Sequence, residues 1–169
     1  MEETPRPLWA PWRVEFIRGE REKRCFLCDS DAPSGKPGDM LVIRRGRTAF
    51  VMLNRYPYNA GHLLVSPYRH LADLPLLSEE ERAEIFELCI QSELTLRKVV
   101  SPDAFNVGFN LGSAAGAGVP DHLHMHIVPR WNGDSSFMAV FDEVRTMPEH
   151  LSRTYAALRP YFSRDGKEA

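Results

Sequence analysis

Three histidines alternate with apolar residues in the run His122-Leu123-His124-Met125-His126. Side chains of a strand point alternately to its two faces, so a strand here predicts that the three imidazoles share one face. Neighbouring imidazoles cannot all be charged cheaply, and at least one is expected to stay neutral near pH 7. A neutral imidazole can attack phosphorus or bind a metal ion, so a nucleophile and a three-histidine metal site are both open. A polar strand face that carries histidine without a function is the plainer alternative.

A loop of small residues, Gly112–Gly118, comes directly before the histidine run. Glycine and alanine leave backbone N–H groups accessible and let a ligand approach the main chain closely. By itself such a loop is usually only a flexible turn, but its place before three histidines favours phosphate binding. The sequence therefore predicts phosphate contacts at Gly116, Ala117 and Gly118.

Cys25 and Cys28 have the spacing of half a zinc site. Two more ligands are needed, and His70 and His122 are candidates. Two unrelated thiols and a redox pair are the alternatives, and the lack of a βαβ pattern around the cysteines disfavours the redox pair. Four protein ligands would leave no open position for water, which predicts a structural zinc ion.

Composition indicates a globular protein without a strong overall charge. The formal net charge is −2 and the pI is near 6.3, so no overall field draws the chain to nucleic acid or to an anionic membrane. No apolar run approaches the roughly 18 residues that cross a bilayer, and Met1–Pro5 does not resemble a signal peptide. The three cysteines form no disulfide framework. We therefore expect a cytoplasmic protein with one domain over residues 1–169.

Strand-like segments surround one long helix. Ser78-Glu79-Glu80-Glu81 is a capping-box pattern that begins a helix, and Pro102 prevents much continuation. The predicted buried stripe of this helix contains Ile85, Leu88, Cys89, Leu96 and Val99. Strands are predicted at Met40–Arg44, Thr48–Leu53, His62–Ser66, Ala104–Leu111, His122–Val128 and Phe137–Phe141.

The ends of the chain have their own patterns. Residues 1–19 contain Trp9 and Trp12 and are expected to pack on the body of the protein. A final helix is predicted from Pro148 to about Leu158, and Arg45-Gly46 is predicted to be a hairpin turn. This order of elements predicts an α+β fold with an antiparallel sheet.

The histidine run is similar to the signature of the histidine triad (HIT) superfamily. The segments Leu53–Pro57, Gly61–Val65, Asn110–Gly112 and Pro129-Arg130 also fit the family's blocks. The resemblance covers about residues 25–140 and implies a HIT-like fold, with a C-terminal helix and tail in residues 141–169. The tryptophan-containing start, the cysteine pair and Pro129–Asp134 resemble the branch of fragile-histidine-triad proteins and bacterial diadenosine tetraphosphate phosphorylases.

The resemblance implies an enzyme that acts on adenine nucleotides, such as diadenosine tetraphosphate, at the α-phosphate. His124 matches the nucleophile that forms a nucleotidyl–histidine intermediate. His126 matches the histidine beside the phosphates, and His62 matches a histidine that supports the site. These three are the predicted catalytic residues.

The resemblance also implies binding residues and a partner. Asn54 matches a residue that contacts the ribose, Asn110 matches a contact to nucleotide or phosphate, and Trp131 lies in a block expected to contact substrate. The zinc ligands of metal-containing members match Cys25, Cys28, His70 and His122. Triad proteins are commonly homodimers, which implies the same here. The second apolar set of the long helix, Phe86, Ile90 and Leu94, is a candidate contact for a partner.

One segment departs from the family pattern. Many triad proteins carry Gly-Gln a few residues before the first histidine, whereas this chain has Gly116-Ala117-Gly118-Val119-Pro120-Asp121. A small residue in place of the glutamine leaves room for an acceptor such as inorganic phosphate. Phosphorolysis, hydrolysis, nucleotidyl transfer to another acceptor and phosphoramidate cleavage all use the same histidine. Metal-dependent hydrolysis and a non-catalytic nucleotide-binding module are the alternatives from other classes.

Overall fold

The computed structural model describes residues 25–31, 41–134 and 151–162. The tryptophan arm in residues 1–19, the predicted strand Phe137–Phe141 and the start of the last predicted helix at Pro148 lie outside these ranges. The described residues form five strands and three α-helices. The strands are β1 Val42–Arg45, β2 Ala49–Leu53, β3 Leu63–Pro67, β4 Ala104–Phe109 and β5 Met125–Arg130. The helices are α1 Phe26–Asp31, α2 Glu79–Val100 and α3 Leu151–Phe162.

The strands form one sheet in the order β1-β2-β3-β5-β4, and every pair of neighbours is antiparallel. The turn predicted at Arg45-Gly46 joins β1 to β2, and the Gly46 N–H donates to the Ala49 carbonyl at 2.8 Å. In chain order, the long helix α2 follows β3 and precedes β4. The predicted α+β class and antiparallel sheet are confirmed.

The two faces of the sheet support two separate cores. On one face, residues such as Val65 and Ile127 pack with the buried sides of α2 and α3. On the other, Leu64 packs with Leu27 of α1. Leu64 and His126 are directly opposite each other in the β3–β5 register, so their side chains share this second face. His126 therefore lies on the side of the sheet that carries α1.

Helix α2 begins with the predicted capping box. Ser78 Oγ accepts the N–H of Glu81 at 3.2 Å, and Glu81 Oε2 accepts the N–H of Ser78 at 2.8 Å. The helix ends at Val100, directly before Ser101 in the left-handed conformation and Pro102. The predicted stripe is confirmed, since Ile85, Leu88, Cys89 and Leu96 are buried and Val99 packs against them. Burial raises the pKa of the Cys89 thiol, as expected for a core cysteine.

The strand prediction for His122–Val128 was wrong at its beginning, because β5 starts only at Met125. Just before β5, the Leu123 N–H donates to the Leu71 carbonyl at 2.7 Å, and the Leu123 carbonyl accepts the Ser66 hydroxyl at 2.9 Å. These bonds replace a strand ladder. The alternation of side chains still holds, since Leu123 belongs to the core with Met125 and Ile127.

The last helix was predicted to end near Leu158 but continues to Phe162. It does so through Pro160, because tertiary contacts hold its end. The Phe162 side chain is buried, and its carbonyl accepts a hydrogen bond from Arg44 Nη1 at 3.1 Å. The other strand predictions match β1, β2, β3 and β4 with ends shifted by one or two residues. Within the described ranges, no helix combines the length and apolarity needed to cross a membrane.

Candidate active site

A pocket opens on the α1 side of the sheet, at the end of β5 where His124 and His126 lie. Its apolar lining comes from three parts of the chain: Phe26 of α1, Leu64 of β3 and Val119 after the glycine loop. Asn54, Tyr56, Pro57 and Tyr58 form the wall between β2 and β3, and Gly116 and Gly118 form another part of the rim. The pocket thus combines an apolar part with two histidines and an amide.

His124 has one ring nitrogen fixed by the backbone. Its Nδ1 lies 2.7 Å from the carbonyl oxygen of His122. A carbonyl oxygen can only accept, so Nδ1 carries the proton in the neutral ring and Nε2 keeps its lone pair. Burial lowers the pKa of His124, against the opposing effect of the bond to His122. His124 therefore presents a neutral nitrogen with a free lone pair to the pocket.

His62 sets the tautomer of His126. The Tyr58 N–H donates to Nδ1 of His62 at 3.0 Å, and Asn54 Nδ2 lies 3.2 Å from the same atom. With Nδ1 accepting, the neutral ring carries its proton on Nε2, which lies 2.9 Å from Nδ1 of His126. His126 then holds its own proton on Nε2. Nδ2 of Asn110 lies 3.4 Å from this Nε2, and since two donors cannot bond to each other, the Asn110 amide must be turned to present its oxygen to the Nε2–H.

The surroundings of His126 keep its imidazole neutral. Burial, together with the neighbouring His124, lowers the pKa of His126 to about 4. The rings of His124 and His126 are 4.9 Å apart, and Tyr58 stacks on His126 at 5.6 Å. This lowered pKa agrees with the expectation that at least one histidine stays neutral near pH 7. At neutral pH, His124 offers a lone pair and His126 offers an N–H donor.

The glycine loop supplies fewer free donors than the sequence suggested. The N–H of Gly116 donates to Ser113 at 3.0 Å, and that of Ala117 is directed to Gly112 at 3.4 Å. Both groups thus close a short 3-10 turn at Ser113–Ala115. Among the described residues, no acceptor is recorded for the N–H of Gly118, which lies at the rim of the pocket. The predicted phosphate contacts of Gly116 and Ala117 stay a prediction, and their N–H groups already have acceptors within the loop.

The four predicted metal ligands come together in one cluster. One ligand atom from each of Cys25, Cys28, His70 and His122 lies within 4.8 Å of every other. Nδ1 of His122 is 3.3 Å from Cys25 Sγ and 3.4 Å from Cys28 Sγ, and Nδ1 of His70 is 3.2 Å from Cys28 Sγ. Zinc bonds of about 2.3 Å to sulfur and about 2.0–2.1 Å to nitrogen place tetrahedral ligands roughly 3.5 Å apart. The cluster could therefore hold a metal ion.

The surroundings orient His122 and hold the segment that carries His70. Nε2 of His122 lies 2.9 Å from the Pro67 carbonyl, which fixes the proton there and leaves Nδ1 free to bind a metal. Next to His70, Arg69 donates to both carboxylate oxygens of Glu81, at 2.7 and 2.6 Å. The Arg69 guanidinium lowers the pKa of Glu81 to about 2. The start of α2 thus anchors the segment that carries His70.

A family model described as the HIT domain matches residues 34–133, which is more than half of the chain.

The chain belongs to the HIT domain family.

The chain is also similar in sequence to named relatives and in structure to a solved histidine triad protein. The chain is 35% identical over 164 residues to a Mycobacterium tuberculosis protein named AP-4-A phosphorylase, covering 93% of this chain and 84% of that protein. It is 32% identical over 115 residues to an asymmetrical bis(5'-nucleosyl)-tetraphosphatase of Schizosaccharomyces pombe, covering 68% and 63% respectively. A zinc-bound histidine triad family protein of Mycobacterium smegmatis is 28% identical, with a TM-score of 0.62 and coverage of 81% and 89%.

The structure separates the three histidines of the HIT signature. His124 and His126 line the pocket, whereas His122 belongs to the cysteine–histidine cluster. A metal site made of all three histidines is not among the clusters found in the described part of the chain. Trp131 follows the end of β5 and is not among the side chains that line the pocket.

Sequence reasoning missed several residues of this HIT pocket. Phe26 lies between the two cysteines, and Tyr56 and Tyr58 lie beside the predicted Asn54. The position of Phe26 between the two cysteines could have indicated a site residue, because a metal site fixes the residues next to its ligands. Tyr58 orients His62 through its backbone N–H, and every residue except proline has such a group, so the residue type gives no signal.

Proposed function

We propose that this protein is an enzyme that transfers the nucleotidyl group of adenine dinucleotides such as diadenosine tetraphosphate, through a covalent bond to His124. The observation that carries the proposal is the 2.7 Å contact between His124 Nδ1 and the His122 carbonyl, at the wall of a pocket. It directs the ring's lone pair away from the backbone. The names of the relatives support the same substrate class.

In the first step, the lone pair of His124 Nε2 attacks the α-phosphorus. A P–N bond forms while the P–O bond to the leaving phosphate breaks, and its electrons pass to the leaving oxygen. The N–H at Nε2 of His126 donates a hydrogen bond to the phosphate oxygens as charge develops there. The proton stays on Nδ1 of His124, and its hydrogen bond to the His122 carbonyl stabilises the charged ring of the intermediate.

In the second step, an acceptor attacks the same phosphorus and the P–N bond breaks, which returns the lone pair to Nε2. We assign inorganic phosphate as the acceptor, because the loop has small residues where the family often has glutamine. Asn54, Asn110 and the Gly116–Gly118 loop are the proposed contacts to the nucleotide, while Trp131 stays a sequence prediction. Covalent catalysis divides one difficult displacement into two easier ones.

Turnover of diadenosine tetraphosphate with and without inorganic phosphate tests the acceptor. Products are separated by chromatography. We expect ADP and ATP, formed only when phosphate is present. AMP and ATP at an equal rate without phosphate would identify water as the acceptor and contradict phosphorolysis. No turnover in either condition would contradict the proposed substrate class and direct the search to phosphoramidates.

The pH dependence of kcat/KM is predicted from His126. Its depressed pKa of about 4 means that the ring stays neutral well below the ordinary histidine value. We expect kcat/KM to stay level as the pH falls from about 8 to about 5.5, and to decrease only at lower pH. A decrease centred near pH 6.5 would show that His124 or His126 titrates as an ordinary histidine and would contradict the proposed desolvated site.

We also propose that the cluster of Cys25, Cys28, His70 and His122 binds zinc. Two thiolates and two imidazoles suit zinc, and four protein ligands leave no position for a catalytic water. The ion would stabilise the segments that carry these ligands. Cysteines that form no disulfide are typical of a reducing compartment, which supports the cytoplasm as the location.

A homodimer is the proposed assembly, with the exposed face of α2 as the contact. Phe86, Ile90 and Leu94 are 60%, 51% and 62% exposed, which is unusual for three apolar residues on one helix. Val107 on the edge strand β4 is 48% exposed as well.

We expect Ile90→Asp to convert the dimer into a monomer in analytical ultracentrifugation, because a charge in an apolar contact loses its hydration. Leu76→Asp is the matched control, because Leu76 is 56% exposed but lies on a separate 3-10 turn. A wild-type protein that sediments as a monomer at micromolar concentration would contradict the assembly.

A further inference from the structure

The metal cluster and the substrate pocket share the short helix α1. Cys25 and Cys28 belong to the cluster, and Phe26 between them lines the pocket. The next residue, Leu27, is fully buried in the core on this face of the sheet. A helix of six residues is not stable alone, so its orientation depends on the contacts of its side chains with the rest of the protein.

The apolar part of the pocket is suited to a nucleotide base. Phe26, Leu64 and Val119 lie there, and the two pocket histidines mark the reacting end. Stacking on an aromatic ring favours a planar base of any kind. If the proposed function holds, a nucleotide whose phosphorus lies at His124 has this apolar wall within the same pocket.

Leu27 holds α1 in the core on this face of the sheet, and Cys25 and Phe26 pack against the same core. A metal ion would join the sulfur atoms of Cys25 and Cys28, each within 3.4 Å of a cluster histidine, to those histidines and so restrict the helix further. Metal binding would therefore hold Phe26 more firmly in the position in which it lines the pocket. A base that stacks on Phe26 requires the same position.

We infer that metal binding and nucleotide binding are thermodynamically linked through Phe26, so that each increases the affinity of the other. This inference rests on the proposed function. Linkage is reciprocal, so a nucleotide must tighten metal binding by the factor by which the metal tightens nucleotide binding. The cluster would thus serve substrate recognition as well as the fold.

The zinc affinity of the full chain is measured by competition with a chromophoric chelator, alone, with saturating AMP, and with saturating ribose 5-phosphate. The same ligands without protein correct for zinc that they bind in solution. We expect AMP to tighten zinc binding about fivefold or more, within the usual range of such coupling. Ribose 5-phosphate lacks the base, and we expect it to change the zinc affinity less than about twofold.

Phe26→Ala and Phe26→Leu test the residue that carries the linkage. Both should bind zinc with an affinity that AMP no longer changes, and Phe26→Leu keeps the apolar packing in case the alanine variant folds poorly. Tyr161→Ala is the matched control, because Tyr161 is an exposed aromatic residue on α3, outside the pocket, and should keep the full AMP effect.

Calorimetry establishes whether AMP binds each variant. Zinc affinity that is unchanged by AMP in a wild-type protein that binds AMP would overturn the linkage and leave the proposed function standing. An AMP effect that survives in both Phe26 variants, or an equal effect of ribose 5-phosphate, would overturn the assignment to Phe26. A wild-type protein that does not bind AMP would overturn the proposed function and the inference together.

Discussion

His124→Ala should lower kcat for dinucleotide cleavage by at least about 10⁴-fold, because the variant has no atom that can form the P–N bond. The remaining pocket, with His126 and Asn54, still has the groups that contact the nucleotide. We therefore expect AMP to bind the variant with an affinity close to that of the wild type. Steady-state kinetics measure the first result, and isothermal calorimetry measures the second.

Two controls separate a chemical loss from a structural one. His124→Ala should keep the fold with only a small decrease in thermal midpoint, because the lost buried side chain makes one hydrogen bond to a backbone carbonyl and one ring contact with His126. His124→Gln retains a polar side chain of similar reach and should be equally inactive. An alanine or glutamine variant with more than about a tenth of wild-type activity would show that His124 is not the nucleophile.

Cys28→Ser should release the metal ion and destabilise the protein. Cys28 Sγ is close to both histidines of the cluster, so it is the ligand that joins His70 to His122. Structural zinc contributes directly to folding free energy, and we expect the thermal midpoint to fall by about 5 °C or more. A chelator should lower the midpoint of the wild type in the same way, with little further effect on the variant.

Cys89→Ala is the matched control for the metal site. Cys89 is a buried cysteine of α2 and does not belong to the cluster. This variant should keep the wild-type zinc content in elemental analysis and the wild-type response to the chelator. A wild-type protein that is purified without zinc, and whose thermal midpoint a chelator does not change, would contradict the metal site.

Local patterns were enough to predict the elements that position the site. The capping box at Ser78 and the stripe behind it define α2, because both depend on neighbours within a few residues. The beginning of β5 could not be predicted in this way. Leu123 bonds to Leu71 and Ser66, which lie more than fifty residues earlier, and no local signal shows that these bonds replace a strand ladder.

For the candidate site, too, the residue types could be predicted from the sequence, whereas the orientation of the side chains could not. Residue types with distinctive chemistry, such as Cys25 and His124, were visible in the sequence because thiol and imidazole spacing has a meaning of its own. The orientation of the rings was not visible, because it depends on the backbone groups of Tyr58 and His122. The loss of free donors at Gly116 was hidden for the same reason, since the loop bonds to its own backbone.

The covalent intermediate is the central claim, and it can be observed directly. Diadenosine tetraphosphate is mixed with excess enzyme without inorganic phosphate, quenched within a single turnover and examined by intact-protein mass spectrometry with peptide mapping. We predict a protein that carries one adenylyl group on His124, stable in base and lost in acid as a phosphoramidate is, and absent from His124→Ala. Substrate consumed in that single turnover without any protein adduct would contradict the account.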